Sequence, residues 1–254
     1  MDDFDWSPDR GAHDIHDAYE TWSPEAELRA SAPVVLSCEH ATQLMPAGYR
    51  WHPDDAHLRG THWAYDLGVR DLTLELALHV GAPAVLSRFS RLIVDPNRSL
   101  DSDTLFRTHA EGRPIRMNAD LAEEERQTRL NRFYHPYHRA FSRMVEETAS
   151  APVVFAVHSF TPLYEGDPRS MEVAVLFDKA DGLAHRLGAD MEEAGLKVAY
   201  NAPYSGKAGM MHAVERHAME FGREAVELEV RQDLVVDRGF RETLVPILAR
   251  LFPR

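Results

Sequence analysis

The feature of this sequence that most constrains its fold is an alternation of short apolar runs with longer segments of helical periodicity. Most of the apolar runs have five to seven residues, the usual length of a strand buried on both faces of a parallel sheet. The segments that predict strands are residues 33–37, 83–87, 91–95, 152–158, 171–177, 197–201 and 225–235. Those that predict helices are residues 63–79, 121–149, 182–195, 212–221 and 240–252. This alternation predicts an α/β fold of three layers (α/β/α), in which helices cover both faces of a central, mostly parallel or mixed sheet.

Glycine and proline mark the limits of several predicted elements. Gly81 is expected to end the helix of residues 63–79, and Pro136 is expected to kink or split the helix of residues 121–149. Residues 96–119 contain Pro, Asn, Asp, Gly and several arginines without a period. That composition predicts a long loop, and long loops in compact domains tend to carry function.

The sequence predicts one domain, residues 31–254, preceded by an acidic and polar N-terminal arm of residues 1–30. Apolar residues make up 44% of the chain, enough to fill the core of one large domain. No uncharged apolar run reaches the roughly 18 residues of a membrane helix, and the first residues lack the basic-then-apolar order of a secretory signal. Because Cys38 is the only cysteine, no intrachain disulfide is possible and a reducing cytoplasm is the expected location.

The formal net charge of −13 narrows the range of partners. A surface this negative disfavours nucleic acid and anionic membranes, and no stripe of Lys and Arg offsets it. We therefore expect neither as a partner, while the oligomeric state stays open. A small anionic substrate requires a local cluster of arginines that overcomes the long-range repulsion.

Chemically active side chains stand at the carboxyl ends of several predicted strands, which is where open α/β sheets bind their ligands. If those strands are neighbours, two imidazoles, several carboxylates and arginines converge on one edge of the sheet. The side chains concerned are Glu39, His40, Asp95, Asn97, Arg98, His158, Glu227 and Glu229.

This set of side chains predicts a hydrolytic zinc site, which needs three nitrogen or oxygen ligands and an open position for water. The metal lowers the pKa of the water and polarises the scissile carbonyl, while a nearby carboxylate carries the proton. His40 and His158 supply two ligands. The third is Asp66, at the start of the following helix, or Glu39, and Asp66 is our first choice. Asp66 could instead be an N-terminal acid that favours the helix dipole.

Six segments of the chain carry recognisable motifs: residues 37–41, 66–72, 90–98, 157–159, 201–206 and 227–230. They read Ser-Cys-Glu-His-Ala, Asp-Leu-Gly-Val-Arg-Asp-Leu, Ser-Arg-Leu-Ile-Val-Asp-Pro-Asn-Arg, Val-His-Ser, Asn-Ala-Pro-Tyr-Ser-Gly and Glu-Leu-Glu-Val. In this order they resemble the N-formylglutamate amidohydrolase family. Each motif is weak alone, and together they are fairly specific.

The resemblance implies a carboxypeptidase-like core, similar to that of zinc carboxypeptidases and aspartoacylases, and zinc-assisted hydrolysis of N-formylglutamate to formate and glutamate. It implies one Zn²⁺ held by His40, Asp66 and His158. It also implies Glu229 as general base and proton shuttle. In the carboxypeptidase relatives an Asn-Arg pair grips the substrate carboxylate and a further arginine stabilises the oxyanion. The matching residues of this chain are Asn97, Arg98 and Arg91.

The sequence departs from the pattern of these relatives at the loop after the first strand. Their His-x-x-Glu spacing is absent, because the third residue after His40 is Gln43. The usual Pro-His-Ser-Gly-like start of the family reads Glu-His-Ala-Thr over residues 39–42. These departures bear on the third metal ligand and on substrate preference.

Other readings of the same residues stay open at this point. Cys38 beside Glu39-His40 would suit a thiol hydrolase, although a buried free cysteine is usually a core residue. Glu229 could be an exposed residue of an edge strand. His135 and His138 resemble a metal spacing, but their place in a long charged helix indicates packing around a kink. A non-enzymatic homologue that binds small carboxylates without turnover is the alternative function.

Overall fold

An eight-stranded mixed β-sheet forms the middle of the computed structural model, which describes residues 12–25, 29, 31–164 and 166–252. The strands of the chain are β1 (Ala12–Ile15), β2 (Tyr19–Ser23), β3 (Val34–Cys38), β4 (Ala84–Ser87), β5 (His109–Ala110), β6 (Arg113–Pro114), β7 (Val153–Phe160), β8 (Leu163–Tyr164), β9 (Asp167–Pro168), β10 (Val173–Leu176), β11 (Val198–Tyr200) and β12 (Glu224–Arg231). The order in the sheet is β1-β2-β4-β3-β7-β12-β10-β11, while β5 pairs with β6 and β8 with β9 in separate hairpins.

The central strands run parallel to one another, and the edges add antiparallel pairs. Strand β3 pairs in parallel with β4 and β7, and β7 pairs in parallel with β12. Strand β12 is antiparallel to β10, and β2 is antiparallel to β4. The carboxyl ends of β3, β7 and β12 therefore open onto one edge of the sheet, as the sequence predicts for a mixed sheet.

Helices cover both faces of the sheet, which confirms the three-layer α/β/α prediction. The α-helices are α1 (Val69–Val80), α2 (Glu123–Arg129), α3 (His135–Glu147), α4 (Asp181–Glu193), α5 (His212–Glu220), α6 (Gln232–Val235) and α7 (Arg238–Ala249). A π-helical turn spans Leu130–Tyr134, and 3-10 helices span Pro53–Leu58, Arg116–Asn118 and Gly206–Ala208. Helices α1, α4 and α7 pack on one face, and α3 and α5 pack on the other.

Strand β7 illustrates why the apolar runs are continuous rather than alternating. All of its residues are buried, because helices cover both of its faces. Val153, Phe155 and Val157 contact the layer of α1, whereas Val154 and Ala156 contact the layer of α3 and α5. His158 follows this second series and points toward the α3 and α5 layer.

The predicted strand of residues 91–95 is wrong. This segment makes turns, in which Ile93 N donates to Ser90 O at 2.9 Å and Arg98 N donates to Asp95 O at 3.2 Å. Its apolar residues are buried all the same. An apolar run reports burial and not extension, so a buried turn beneath a long loop gives the same pattern as a strand.

The helices differ from their predicted limits where local backbone geometry intervenes. The helix predicted from residue 63 begins at Val69, after Gly68 in a left-handed conformation with φ of +75°, and it ends at Gly81 as predicted. The helix predicted for residues 121–149 is divided by the π-helical turn, and Pro136 lies in the first turn of α3. This division confirms the expected effect of the proline.

Part of the predicted N-terminal arm extends the sheet. Strands β1 and β2 form an antiparallel hairpin that pairs with β4. Residues 1–11, 26–28 and 30 lie outside the described residues, so the arm and the domain boundary at residue 31 stay predictions. In the described parts of the chain, none of the helices is both long and apolar enough to cross a membrane.

Candidate metal centre and active-site pocket

Two imidazoles meet at the carboxyl edge of the sheet. His158 lies in β7, and His40 lies two residues after the end of the neighbouring strand β3. Their ring centroids are 4.8 Å apart with the ring planes inclined at 76°. Both side chains are buried. The structure thus brings together the two histidines that the sequence places at strand ends.

Asp66 lies between these two imidazoles. Its Oδ2 atom is 2.8 Å from His158 Nδ1 and 3.3 Å from His40 Nδ1. The backbone fixes this carboxylate, because Asp66 N donates to His40 O and Ser159 N donates to Asp66 Oδ2. The three side chains offer ligand atoms that all lie within 4.8 Å of one another. Such a triangle is compact enough for one cation.

The opposite nitrogen of each imidazole contacts a different carboxylate. His40 Nε2 is 2.8 Å from Asp95 Oδ1, and His158 Nε2 is 2.9 Å from Glu39 Oε2. A carboxylate on one ring nitrogen favours the tautomer that leaves the other nitrogen free to bind a metal. Asp66 therefore shares the ligand side of the histidines, whereas Glu39, the other candidate ligand, lies behind His158.

Asp95 is one of the side chains that the sequence places at this edge, but the sequence predicts no role for it in the site. It binds His40 on one side, and its Oδ2 accepts a hydrogen bond of 2.6 Å from Arg91 Nη2 on the other. Burial opposes ionisation of this carboxyl, but the guanidinium of Arg91 and the imidazole of His40 together hold its pKa well below the usual value. The available signal was its position four residues after Arg91, within the motif that ends in Asn97-Arg98.

Glu229 and Glu227 add two buried carboxyl groups from β12 to the same edge. Glu229 is in parallel register with His158, so both side chains project from the same face. One oxygen of each glutamate, Oε2, is buried without a hydrogen-bond partner among the described residues. Burial raises the pKa of Glu227 to about 7 and raises the pKa of Glu229 well above its usual value.

A divalent cation fits the charge of this cluster. Burial opposes ionisation of Asp66, but the nearby imidazoles of His40 and His158 lower its pKa. Five buried carboxyl groups, those of Glu39, Asp66, Asp95, Glu227 and Glu229, lie in this cluster, and Arg91 is the arginine that forms ion pairs with them in the described structure. Buried carboxylates at this density need compensating positive charge, which a metal ion bound at the Asp66 side would supply.

The histidines, Asp66 and Glu229 line a pocket of about 160 Å³, which has room for roughly ten water-sized groups. Arg91, Asn97 and Arg98 line the same pocket, so the candidate residues of the 90–98 motif all face it. This volume suits a small molecule rather than a protein segment.

Different contacts hold the three pocket-lining residues of the 90–98 motif. Besides its bond to Asp95, Arg91 has Nη1 3.6 Å from Asp66 Oδ1. Asn97 is buried, and its Oδ1 accepts a hydrogen bond of 3.0 Å from Ala213 N at the start of α5. Arg98 donates to the hydroxyl of Thr104 and to the carbonyl of Asn97. The long loop predicted for residues 96–119 therefore forms a wall of the pocket.

Cys38 is fully buried in the apolar core and is not among the described side chains that line the pocket. Burial raises the pKa of its thiol strongly, so the nucleophilic thiolate is disfavoured. The geometry argues against a thiol hydrolase.

His138 packs inside the helical layer, as the sequence indicates for a residue beside the Pro136 kink. Its Nδ1 is 2.8 Å from His217 Nε2 of α5. Within the described ranges of the chain, His40, Asp66 and His158 are the one group of three or more side chains with the spacing of a metal site.

Comparisons with known proteins agree with this fold. The family model described as N-formylglutamate amidohydrolase matches residues 32–236. Gene product Atu2144 from Agrobacterium tumefaciens is 32% identical, with a TM-score of 0.82 over 93% of this chain and 94% of that one. N-formylglutamate amidohydrolase from Ralstonia eutropha JMP134 is 23% identical, with a TM-score of 0.71 over 93% of this chain and 96% of that one.

The chain is more distantly similar to succinylglutamate desuccinylase from Chromobacterium violaceum. That structure is 11% identical, with a TM-score of 0.47 over 97% of this chain and 74% of that one. No curated protein matches the chain. The three-layer α/β/α fold around a mixed sheet is the fold class that the sequence predicts.

Proposed function

Because the chain belongs to the N-formylglutamate amidohydrolase family, we propose that it is a metal-dependent amidohydrolase that cleaves N-formylglutamate, or a closely related N-acyl amino acid, to formate and glutamate. The observation that carries this proposal is the triangle of His40 Nδ1, His158 Nδ1 and Asp66 Oδ2 at the floor of a small pocket. The carboxylates behind both histidines and Glu229 beside them complete a hydrolytic site.

The donor set supports zinc as the metal. Two imidazole nitrogens and one carboxylate oxygen are a usual set for catalytic zinc, which keeps a further position open. When bound, the ion supplies Lewis acidity, which lowers the pKa of water and polarises a carbonyl group. Asp95 and Glu39 orient the two imidazoles toward it through their other nitrogens.

Glu229 is the group that we assign to proton transfer. It lines the pocket, is in register with His158, and has one oxygen without a hydrogen-bond partner in the described structure. As the water oxygen forms a bond to the formyl carbon, Glu229 accepts the proton that the water loses. It then donates a proton to the nitrogen of glutamate as the C–N bond breaks, so one water is consumed and the carboxylate is regenerated.

Arg91 and the Asn97-Arg98 pair interact with the negative charges of the substrate. Arg91 lies beside Asp66 and lines the pocket, where its guanidinium stabilises negative charge that develops on the carbonyl oxygen. Arg98 offers a guanidinium to a substrate carboxylate, and Asn97 offers its side-chain amide. These cations are needed, because a chain of net charge −13 otherwise repels an anion.

The proposal is tested by formate release from N-formyl-L-glutamate, measured together with the metal content of the purified protein. We expect about one equivalent of metal, loss of activity after dialysis against a chelator, and recovery on addition of Zn²⁺. Ca²⁺, which prefers six to eight oxygen ligands, serves as the control ion and should not restore activity. Activity that survives in metal-free protein would refute metal dependence. Binding of N-formylglutamate without turnover in metal-loaded protein would favour the carboxylate-binding homologue.

A further inference from the structure

Arg107 belongs to the long loop of residues 96–119, and its side chain lines the same pocket as Arg91 and Arg98. Its guanidinium lies over the indole of Trp63, with Cζ 5.3 Å from the ring centroid. No carboxylate in the described part of the chain lies within ion-pair distance of it, whereas Arg91 is bound to Asp95. Arg107 therefore presents a positive charge that no ion pair in the described structure neutralises.

Arg98 also lines the pocket and also lacks an ion pair in the described structure. It donates to two neutral oxygens, Thr104 Oγ1 at 3.2 Å and Asn97 O at 2.9 Å. Burial lowers the pKa of Arg107, and the positive charges of Arg91 and Arg98 lower it further, while the negative charge of Asp95 offsets part of this effect. Two guanidiniums of one pocket, each without an ion pair among the described residues, therefore repel each other in the free protein. Repulsion of this kind is relieved by an anionic ligand with two negative charges.

We propose that Arg107 binds the side-chain carboxylate of a dicarboxylic N-acyl amino acid, while Asn97 and Arg98 bind the α-carboxylate. Arg107 then determines specificity for an acidic side chain over its neutral isostere. This inference rests on the proposed function, since it assigns a substrate group to a residue of the same pocket. It explains why a strongly acidic chain places an unpaired arginine at this point.

Trp63 makes Arg107 suited to this task. A guanidinium that lies over an indole is held by a cation–π interaction, which leaves its N–H groups free to donate two parallel hydrogen bonds to a carboxylate. The stack also removes water from one face of the guanidinium, which strengthens its interaction with an anion. Glutamine has nearly the shape of glutamate but no charge, so it gains little from this arrangement.

The test compares kcat/KM for N-formyl-L-glutamate and N-formyl-L-glutamine in the wild-type protein, in Arg107→Met and in Arg107→Lys. We expect Arg107→Met to lower the preference for the glutamate substrate by about 10- to 100-fold, with little effect on the glutamine substrate. Arg107→Lys keeps the charge without the planar fork, so it should retain part of the preference. It also supplies the comparison should Arg107→Met fail to fold.

Arg59→Met is the matched control. Arg59 is exposed and lies over the ring of Trp51 at 5.5 Å, outside the pocket, so this change removes the same charge and a similar stack. The preference for glutamate should be unchanged in it. An equal loss of kcat/KM for both substrates in Arg107→Met, or an equal loss of preference in Arg59→Met, would overturn the inference.

Calorimetric binding of the two substrates to the Glu229→Gln protein separates this inference from the proposed function. If neither substrate is hydrolysed by the wild-type protein, but N-formylglutamate binds more tightly than N-formylglutamine and Arg107→Met removes the difference, the inference holds while the function fails. Equal binding of the two compounds, with or without Arg107, would overturn it.

Discussion

His40 and His158 meet edge to face across the ends of two neighbouring parallel strands, with their ring centroids 4.8 Å apart. Each ring is held at both nitrogens, by Asp66 on one side and by Asp95 or Glu39 on the other. The positions of the imidazoles thus come from the protein itself. Because the carboxylates behind the histidines fix the ring orientation, they should govern metal affinity without touching the metal.

Asp95→Asn is the change that tests this dependence. We expect it to lower the affinity for Zn²⁺ by about 10- to 100-fold, because the orienting carboxylate behind His40 loses its charge. Affinity is measured by competition with a chromogenic chelator. Asp55→Asn is the control, since Asp55 is also buried but accepts hydrogen bonds from the backbone of Arg116 and Met117. An unchanged affinity in Asp95→Asn would contradict the role given to this contact.

Glu229→Gln should reduce kcat by about 10²- to 10⁴-fold while the metal content is retained, because the proposed function assigns proton transfer to Glu229 and metal binding to other residues. Steady-state formate release and elemental analysis measure the two effects. Glu227→Gln is the matched control, since Glu227 lies on the same face of β12 two residues earlier. We expect a loss below about tenfold there. A larger loss in Glu227→Gln than in Glu229→Gln would reverse the two roles.

Arg98→Ala should act mainly on substrate binding. In the proposed function Arg98 contacts a substrate carboxylate in both the ground state and the transition state, and loss of such a contact raises KM and leaves kcat nearly unchanged. We expect KM to rise by about 10- to 100-fold. Arg59→Ala removes the same charge away from the pocket and should change neither constant. A fall in kcat at constant KM would place Arg98 in the chemical step instead.

The sequence predicts the layers of the fold and the meeting of the two histidines for the same physical reason. Strands buried on both faces appear as continuous apolar runs, and parallel strands end at one edge of the sheet, so polar residues after such runs converge there. That reasoning brings His40 and His158 together only if their strands are neighbours, and β3 does pair with β7. It also leads to Asp66, because the helix that follows the first strand starts at the same edge.

The sequence pattern does not predict the contacts that turns and long loops make with the site. The segment of residues 91–95 has the composition of a strand, and only its backbone hydrogen bonds reveal that it turns. Asp95 and Glu39 act through the far nitrogens of the histidines, and sequence spacing carries no record of which nitrogen faces which carboxylate. Arg107 lies in a loop without periodicity, where pattern alone predicts no contact with Trp63.

We expect the buried pair of His138 in α3 and His217 in α5 to make the protein less stable in acid. Burial lowers the pKa of His217 to about 3, with a further contribution from Arg216. The unfolded chain has a histidine pKa of about 6.5 and binds more protons, so this contribution to stability is complete above pH 6.5 and is lost as the pH falls toward 3. Between pH 6 and pH 5 it amounts to about 1 kcal/mol.

Urea unfolding at pH 6 and pH 5 in the presence of a chelator measures this contribution of His217. The decrease in unfolding free energy on acidification should be smaller in His217→Gln than in the wild-type protein by that amount. His57→Gln, which changes an exposed histidine, should behave like the wild type. An identical decrease in all three proteins would show that His217 is protonated in the folded state.

Gly68→Ala should damage the metal site through the backbone. A Cβ atom at Gly68 would lie 2.9 Å from the carbonyl carbon and oxygen of Val235, at a φ of +75°. Gly60 has a similar φ of +72° and nothing within 4 Å, so Gly60→Ala isolates the cost of the left-handed backbone, about 1 kcal/mol. We expect Gly68→Ala to cost about 1 to 3 kcal/mol more in urea unfolding. Because Gly68 follows Asp66 by two residues and directly precedes α1, the shift that relieves the clash should also weaken Zn²⁺ binding, which Gly60→Ala leaves intact. Equal stability and equal affinity in the two variants would mean that the backbone around Val235 moves to make room for the added Cβ atom. The position of Asp66 would then not depend on this contact.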